Sequence, residues 1–228
     1  MTATATYRGG GYLAANTNVT LNADCAIYNP VVAICAQFGA TALATPSDTA
    51  SNPWVLEGSY AVNTVQISVW STSQRVGAIT TAKTIALTGN AAHPVLWSAW
   101  ELGDVEYSRR VVSLSTSLLL NNIASFEPTA DPDGAQAGIS IHAVTATTPD
   151  VTETWGASLN LQTTLTVYDS MLASTSASNS LSNRNTGKYV GANAGSDAAT
   201  VTVKFAQKKP RQFWTPRVQQ ANNRASSR

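Results

Sequence analysis

Between Val151 and Tyr168 the chain alternates apolar and polar residues with a period of two. Trp155, Ala157, Leu159, Leu161, Leu165 and Val167 fall on one side; Thr152, Thr154, Ser158, Asn160, Gln162, Thr164 and Thr166 fall on the other. Successive side chains of an extended strand point to opposite faces, so the pattern predicts a half-buried strand with its hydroxyls in water. One strand of this length would reach about 60 Å, far beyond ordinary strands, and Gly156 is read as a break or bulge.

The same rule recurs along the chain. Val65, Ile67 and Val69 alternate with Thr64, Gln66 and Ser68; Ile139, Ile141 and Ala143 with Ser140 and His142; Val201, Val203 and Phe205 with Thr200, Thr202 and Lys204. Val112, Leu114 and Leu118 mark a strand within Arg109 to Leu120. Further strands are expected over Lys83 to Thr88 and Pro94 to Glu101, and a weaker one over Tyr12 to Leu21. β-Branched and hydroxylated residues dominate, and few segments show a helical period. The uncharged stretch Pro30 to Ala44 reads equally as a helix or a buried strand, and it is too short to span a bilayer.

Asp131-Pro132-Asp133-Gly134 carries turn chemistry: Pro presets φ, Asp bonds the local backbone and Gly accepts positive φ. Ser170 to Asn185 and Gly191 to Asp197 read as loops. No internal repeat of fixed period is visible. Roughly eight to ten strands without intervening helices predict an all-β fold, an antiparallel β-sandwich of jelly-roll-like type with extended N- and C-terminal arms. The expected boundaries are a flexible N-terminal arm at 1–11, a sandwich shell domain at 12–205 and a basic C-terminal arm at 206–228.

Charge divides the chain. Residues 1–203 hold 7 Lys and Arg against 13 Asp and Glu, a net of −6, whereas residues 204–228 hold 7 Lys and Arg and no acid. Like charges gathered at one end repel one another and call for a partner. In the segment Lys208 to Arg217, Phe213 and Trp214 stand among the basic residues, and Pro210 and Pro216 keep the chain extended. Lys204, Lys208, Lys209, Arg211, Arg217, Arg224 and Arg228 are therefore the candidate phosphate contacts, with Phe213 and Trp214 placed to stack on unpaired bases. The alternative partner is the acidic body of an adjacent subunit.

Catalytic signatures are absent. His93 and His142 stand alone, and with Cys25 and Cys35 they do not make a four-ligand zinc site. The two cysteines fit no disulfide framework and are expected as free, buried thiols. There is no Gly-x-Ser-x-Gly elbow, and Asn185-Thr186-Gly187-Lys188 lacks the rest of a phosphate loop. Glu101, Asp104 and Glu106 beside Arg109 and Arg110 read as a solvated loop with local ion pairs, in preference to an acid/base pair or a calcium site. Asp131 and Asp133 echo a calcium loop that lacks its bidentate Glu. Trp54, Trp70, Trp97, Trp100 and Trp155 offer either core packing or a sugar platform. No catalytic residue, metal or cofactor is expected. The first residues lack the basic and apolar regions of a signal peptide, so the expectation is a soluble protein made in a cytosol.

The strand pattern from Val65 to Phe205 and the basic arm from Lys204 to Arg228 together resemble the coat proteins of small viruses as a class. The resemblance is one of organisation. Such coats often carry the basic arm at the N-terminus, whereas here Arg8 is the only charge before Asp24. It implies a self-assembling capsid subunit in a virion, with many copies of itself and viral nucleic acid as partners and no membrane. A phage tail or capsid-decoration protein is the alternative. A carbohydrate-binding sandwich or hydrolase is the alternative of another class.

Overall fold

The computed structural model describes residues 2–13, 17–38, 43–48, 50–62, 65–72, 79, 84–87, 95–118, 123–126, 131–146, 151–154, 164–168, 171–178, 181, 187–191 and 197–210. Every regular element among them is a strand. The first half contributes β1 (Thr4–Leu13), β2 (Thr17–Thr20), β3 (Val31–Phe38), β4 (Ser47–Asp48), β5 (Trp54–Val62), β6 (Val65–Thr72), β7 (Thr84–Leu87) and β8 (Val95–Gly103). The second contributes β9 (Val105–Leu118), β10 (Ile123–Phe126), β11 (Gly138–Ala146), β12 (Val151–Thr154), β13 (Thr164–Tyr168), β14 (Met171–Ser178), β15 (Gly187–Gly191) and β16 (Asp197–Gln207). All pairings are antiparallel.

The order of these strands repeats. A five-stranded sheet runs β1-β8-β3-β6-β5 beside a three-stranded sheet β2-β7-β4. Adding eight to every number gives the other two sheets, β9-β16-β11-β14-β13 and β10-β15-β12. The chain is thus two topologically equivalent halves, joined at Asp104, which turns the corner between β8 and β9 with φ of 53°. Across the interface β1 faces β13 and β5 faces β9, while β8 faces β14 and β6 faces β16. Reciprocal contacts of this kind are those of an approximate twofold axis.

Hydrogen bonds fix the correspondence residue by residue. Leu102 N–H donates to Pro30 O at 2.9 Å, as Gln207 N–H donates to Ala137 O at 2.9 Å. Val31 pairs with Glu101, as Gly138 pairs with Ala206. Trp100 and Phe205 are therefore counterparts, and both are fully buried in the core between the two large sheets. Each has a tyrosine from the first strand of its own half: Tyr7 meets Trp100 edge-on at 5.4 Å, and Tyr107 stacks on Phe205 at 6.2 Å. Around them pack Val32, Ile34, Ile67 and Val69 from one sheet and Ile139, Ile141, Val201 and Val203 from the other.

The first large sheet is buried on its other face too. Val31, Ala33, Cys35, Trp54 and Trp70 pack there against Val19 of β2 and Ile85 of β7. This explains the unbroken apolar run after Pro30: it is β3, with every residue from Val31 to Gln37 buried. A strand covered on both faces has no polar side to alternate with. It also revises β6, where Gln66 and Ser68 were expected in water but are buried. Part of their polarity is met locally: Gln66 Nε2 donates to Ser59 Oγ at 2.7 Å, and Ser59 and Ser68 hydroxyls lie 3.1 Å apart.

Several boundaries differ from those read in the sequence. The expected arm at 1–11 is largely β1, paired along β8, with Ala3 buried in the core. Gly9 and Gly11 take positive φ, and the missing side chain at Gly9 makes room for the Trp97 ring, so the glycine run shapes an edge strand instead of loosening it. The single strand Val151 to Tyr168 is two, β12 and β13, in different sheets; Trp155 and Gly156 lie outside the described residues. Ser170 to Asn185, read as a loop, contains β14, which pairs with both β11 and β13 and buries Ala177. Small hydroxylated residues fit a strand between two neighbours as well as they fit a loop.

Equivalent positions carry equivalent weight. Trp100→Ala and Phe205→Ala are each expected to lower unfolding free energy by about 3–5 kcal/mol, whereas Val55→Ala, at an exposed edge, costs under about 1 kcal/mol. Urea titration followed by circular dichroism measures all three.

Candidate nucleic-acid interface

Basic residues meet where β16 ends. The pairing of β9 with β16 jumps between Phe205 and Ala206: Phe205 faces Arg110, and Ala206 faces Glu106. Tyr107, Ser108 and Arg109 are thus looped out of the ladder as a bulge, which re-aims their side chains. Beside the bulge lies a turn over 132–135, one residue on from the one read in the sequence, closed by Ala135 N–H donating to Pro132 O at 2.9 Å, with Gly134 at φ 62°. Arg109 Nη2 donates to Asp133 O, and Arg109 Nη1 lies 3.4 Å from Glu106 Oε2.

Between bulge, turn and strand end is an open cleft of about 320 Å³, lined by Arg109, Gly134 to Ala137, Gln207, Lys208, Lys209 and Pro210. Among the described residues, no acidic residue lines it. The Lys208 N–H donates to Asp104 O at 2.8 Å, which ties the chain to the corner between the halves. From Pro210 the chain runs on into the basic, aromatic segment 211–228.

The expected phosphate contacts divide. Lys204 is withdrawn from the set: it is buried, and its Nζ bonds Asp131 Oδ1 at 2.5 Å and Leu181 O at 3.1 Å. A strand position between two neighbours encloses its stem, so the charge is neutralised inside the protein. Lys208 and Lys209 line the cleft. Arg211, Phe213, Trp214, Arg217, Arg224 and Arg228 lie outside the described residues. Arg109 was not among the candidates: the sequence shows it only beside acids, and both the turn and the β16 end that meet it are brought there by the fold.

The carboxylates near position 101 do not converge. Glu101 turns to Arg8, whose Nε is 2.7 Å from Oε2; Oε1 takes the Ala26 N–H at 2.8 Å and the Asn29 amide at 2.7 Å. Glu57 of β5 takes Arg110 Nε at 2.6 Å and the Tyr107 hydroxyl at 3.0 Å, together with the Ser71 hydroxyl. Arg110 also lies 4.4 Å over the Tyr107 ring. Burial pushes the Tyr107 phenol above its ordinary value and keeps it a donor. This network clamps the two halves together by charge-assisted bonds.

Among the described residues, no group of three or more His, Cys, Asp or Glu side chains is placed to hold a metal. Likewise no described helix is long and apolar enough to cross a membrane. Trp54, Trp70 and Trp100 are buried and Trp97 packs, partly buried, against the core that holds Trp54 and Trp70, so these four form no surface platform. Cys25 and Cys35 are free and buried. Compared with known proteins, the chain matches no family, no curated protein and no solved structure.

Two outcomes follow from these contacts. Glu57→Gln leaves the Arg110 guanidinium without its carboxylate and lowers stability by roughly 2–3 kcal/mol in urea titrations. Burial raises the Cys35 thiol from 9.0 to about 12. Below pH 9 the thiol is neutral in both folded and unfolded chains. Above it only the unfolded chain ionises, so the thiol's contribution to stability falls from pH 9 until about 12. Urea midpoints across that range should fall less in Cys35→Ala than in the unaltered protein, and Ellman's reagent at pH 8 should label the native protein only on unfolding.

Proposed function

We propose that the chain is a self-assembling coat subunit of a virion, which encloses a genome and turns its basic C-terminal arm to nucleic acid. The observation that carries this reading is the repeated strand order. In each half the neighbours 1-8-3-6 and 2-7-4 follow the succession of a jelly roll, with the fifth strand paired to the sixth, and jelly rolls are the architecture of many capsid walls. The shell domain read at 12–205 is on this proposal a tandem of two jelly rolls whose large sheets pack face to face. The charge split supports a division of labour: an acidic wall with basic residues gathered at 206–228.

Lectins share the jelly roll, so fold alone does not choose between a wall and a sugar binder. Burial of Trp54, Trp70 and Trp100 in cores, with Trp97 partly buried against one of them, favours the wall. The acidic body offers the arm a second place to dock on a neighbouring subunit, and the two contacts are compatible.

Expression of the chain alone, negative-stain microscopy and nuclease treatment test the proposal. The expected result is closed particles that protect nucleic acid. Monodisperse monomers that carry none would contradict it.

A further inference from the structure

The two halves treat one place in their shared topology differently. In the first half, Arg8 is the bulged residue of β1, between Tyr7 and Gly9 in the ladder with β8. Arg8, the Ala26 N–H and the Asn29 amide converge on the Glu101 carboxylate, which is 4% exposed. The chain thus builds an anion cradle and fills it with its own carboxylate.

Register shows what stands there in the second half. Glu101 pairs with Val31, one residue after Pro30, and Ala206 pairs with Gly138, one residue after Ala137. Ala206 is therefore the counterpart of Glu101, and Gln136 is the counterpart of Asn29. The β9 bulge, like that of β1, carries an arginine, Arg109. Arg109 and Gln136 line the cleft at this place, joined by Lys208 and Lys209. Two of the cradle's donors thus have counterparts that line the cleft, and the place of Glu101 is taken by the fully buried Ala206, which brings no carboxylate.

We propose that this cleft is an anion site filled from outside the chain, and that its occupant is a phosphodiester of a single-stranded nucleic acid. The proposal rests on the nucleic-acid reading of the arm and deepens it by naming the point of entry. Three cations line the cleft, more charge than one carboxylate balances, and a volume of about 320 Å³ admits a phosphate with its flanking sugars. Glu106 meets Arg109 at 3.4 Å and is 36% exposed, so water screens that pair. The Asp133 carbonyl holds Arg109 in place without neutralising it. In the sequence, Pro210 is followed by Arg211, Phe213 and Trp214, residue types suited to contact a strand and stack its bases.

Anisotropy of a labelled oligouridylate with the full chain, across salt concentrations, tests the site. The double variant Arg109→Gln/Lys208→Gln is expected to bind about tenfold more weakly, with the salt slope lowered by about 0.7 for each phosphate that is no longer neutralised. Ala206→Glu restores the missing carboxylate while leaving every cation in place, and a folded variant is expected to show the same weakening. Should the double variant bind like the unaltered protein while Gln at Arg211, Arg217, Arg224 and Arg228 abolishes binding, the cleft is wrong and the nucleic-acid role of the arm stands. An unaltered protein that binds no oligonucleotide removes both. If acetate displaces the strand as well as inorganic phosphate does, the site is one for carboxylates of a neighbouring protein and the phosphodiester assignment fails.

Discussion

Trp100 and Phe205 hold equivalent places in two equivalent halves and meet in one core between the large sheets. Each half has only about 100 residues, so a shared core adds apolar burial that a domain of that size struggles to reach alone. Sharing it constrains everything nearby. The first large sheet is covered on both faces, the two halves are linked by a single residue, Asp104, and the polar groups at the seam have to be satisfied where they stand. The Glu57–Arg110–Tyr107–Ser71 network meets that last demand by joining β5 and β6 to β9 across the seam.

The sequence shows strand positions well where apolar and polar residues alternate. Val65 to Val69, Ile139 to Ala143 and Val201 to Phe205 all sit in strands that contribute to the core. It shows them poorly where both sides are apolar, and it misjudges which polar sides reach water. The Pro30 to Ala44 run has no period to read because β3 is enclosed on both faces, and Gln66 and Ser68 look solvent-facing because their partners are other polar side chains. The twofold repeat leaves no period in the residues. Trp100 corresponds to Phe205, Glu101 to Ala206 and Pro30 to Ala137, pairs that share shape requirements or nothing at all. What the halves share is backbone pairing, which many sequences satisfy.

The candidate site was legible as charge and illegible as geometry. Counting shows that the last residues are basic, but Lys204 counts the same as Lys208 although one is buried against Asp131 and the other lines an open cleft. Arg109 stood out in the sequence only as a neighbour of acids, and it faces the cleft because the β9 bulge breaks the alternation that would otherwise set its direction. The halves diverge at matched positions: Glu101 meets Arg8 in the first, and buried Ala206 stands at its place in the second.

Native-state hydrogen exchange on the full chain, with low concentrations of urea, tests the shared core most directly. If the two halves stand or fall together, the slowest amides of β3 and β8 and those of β11 and β16 should exchange through one global opening, with the same free energy and the same urea dependence. Two sets of amides, one per half, with separate free energies and urea slopes, would contradict a common core.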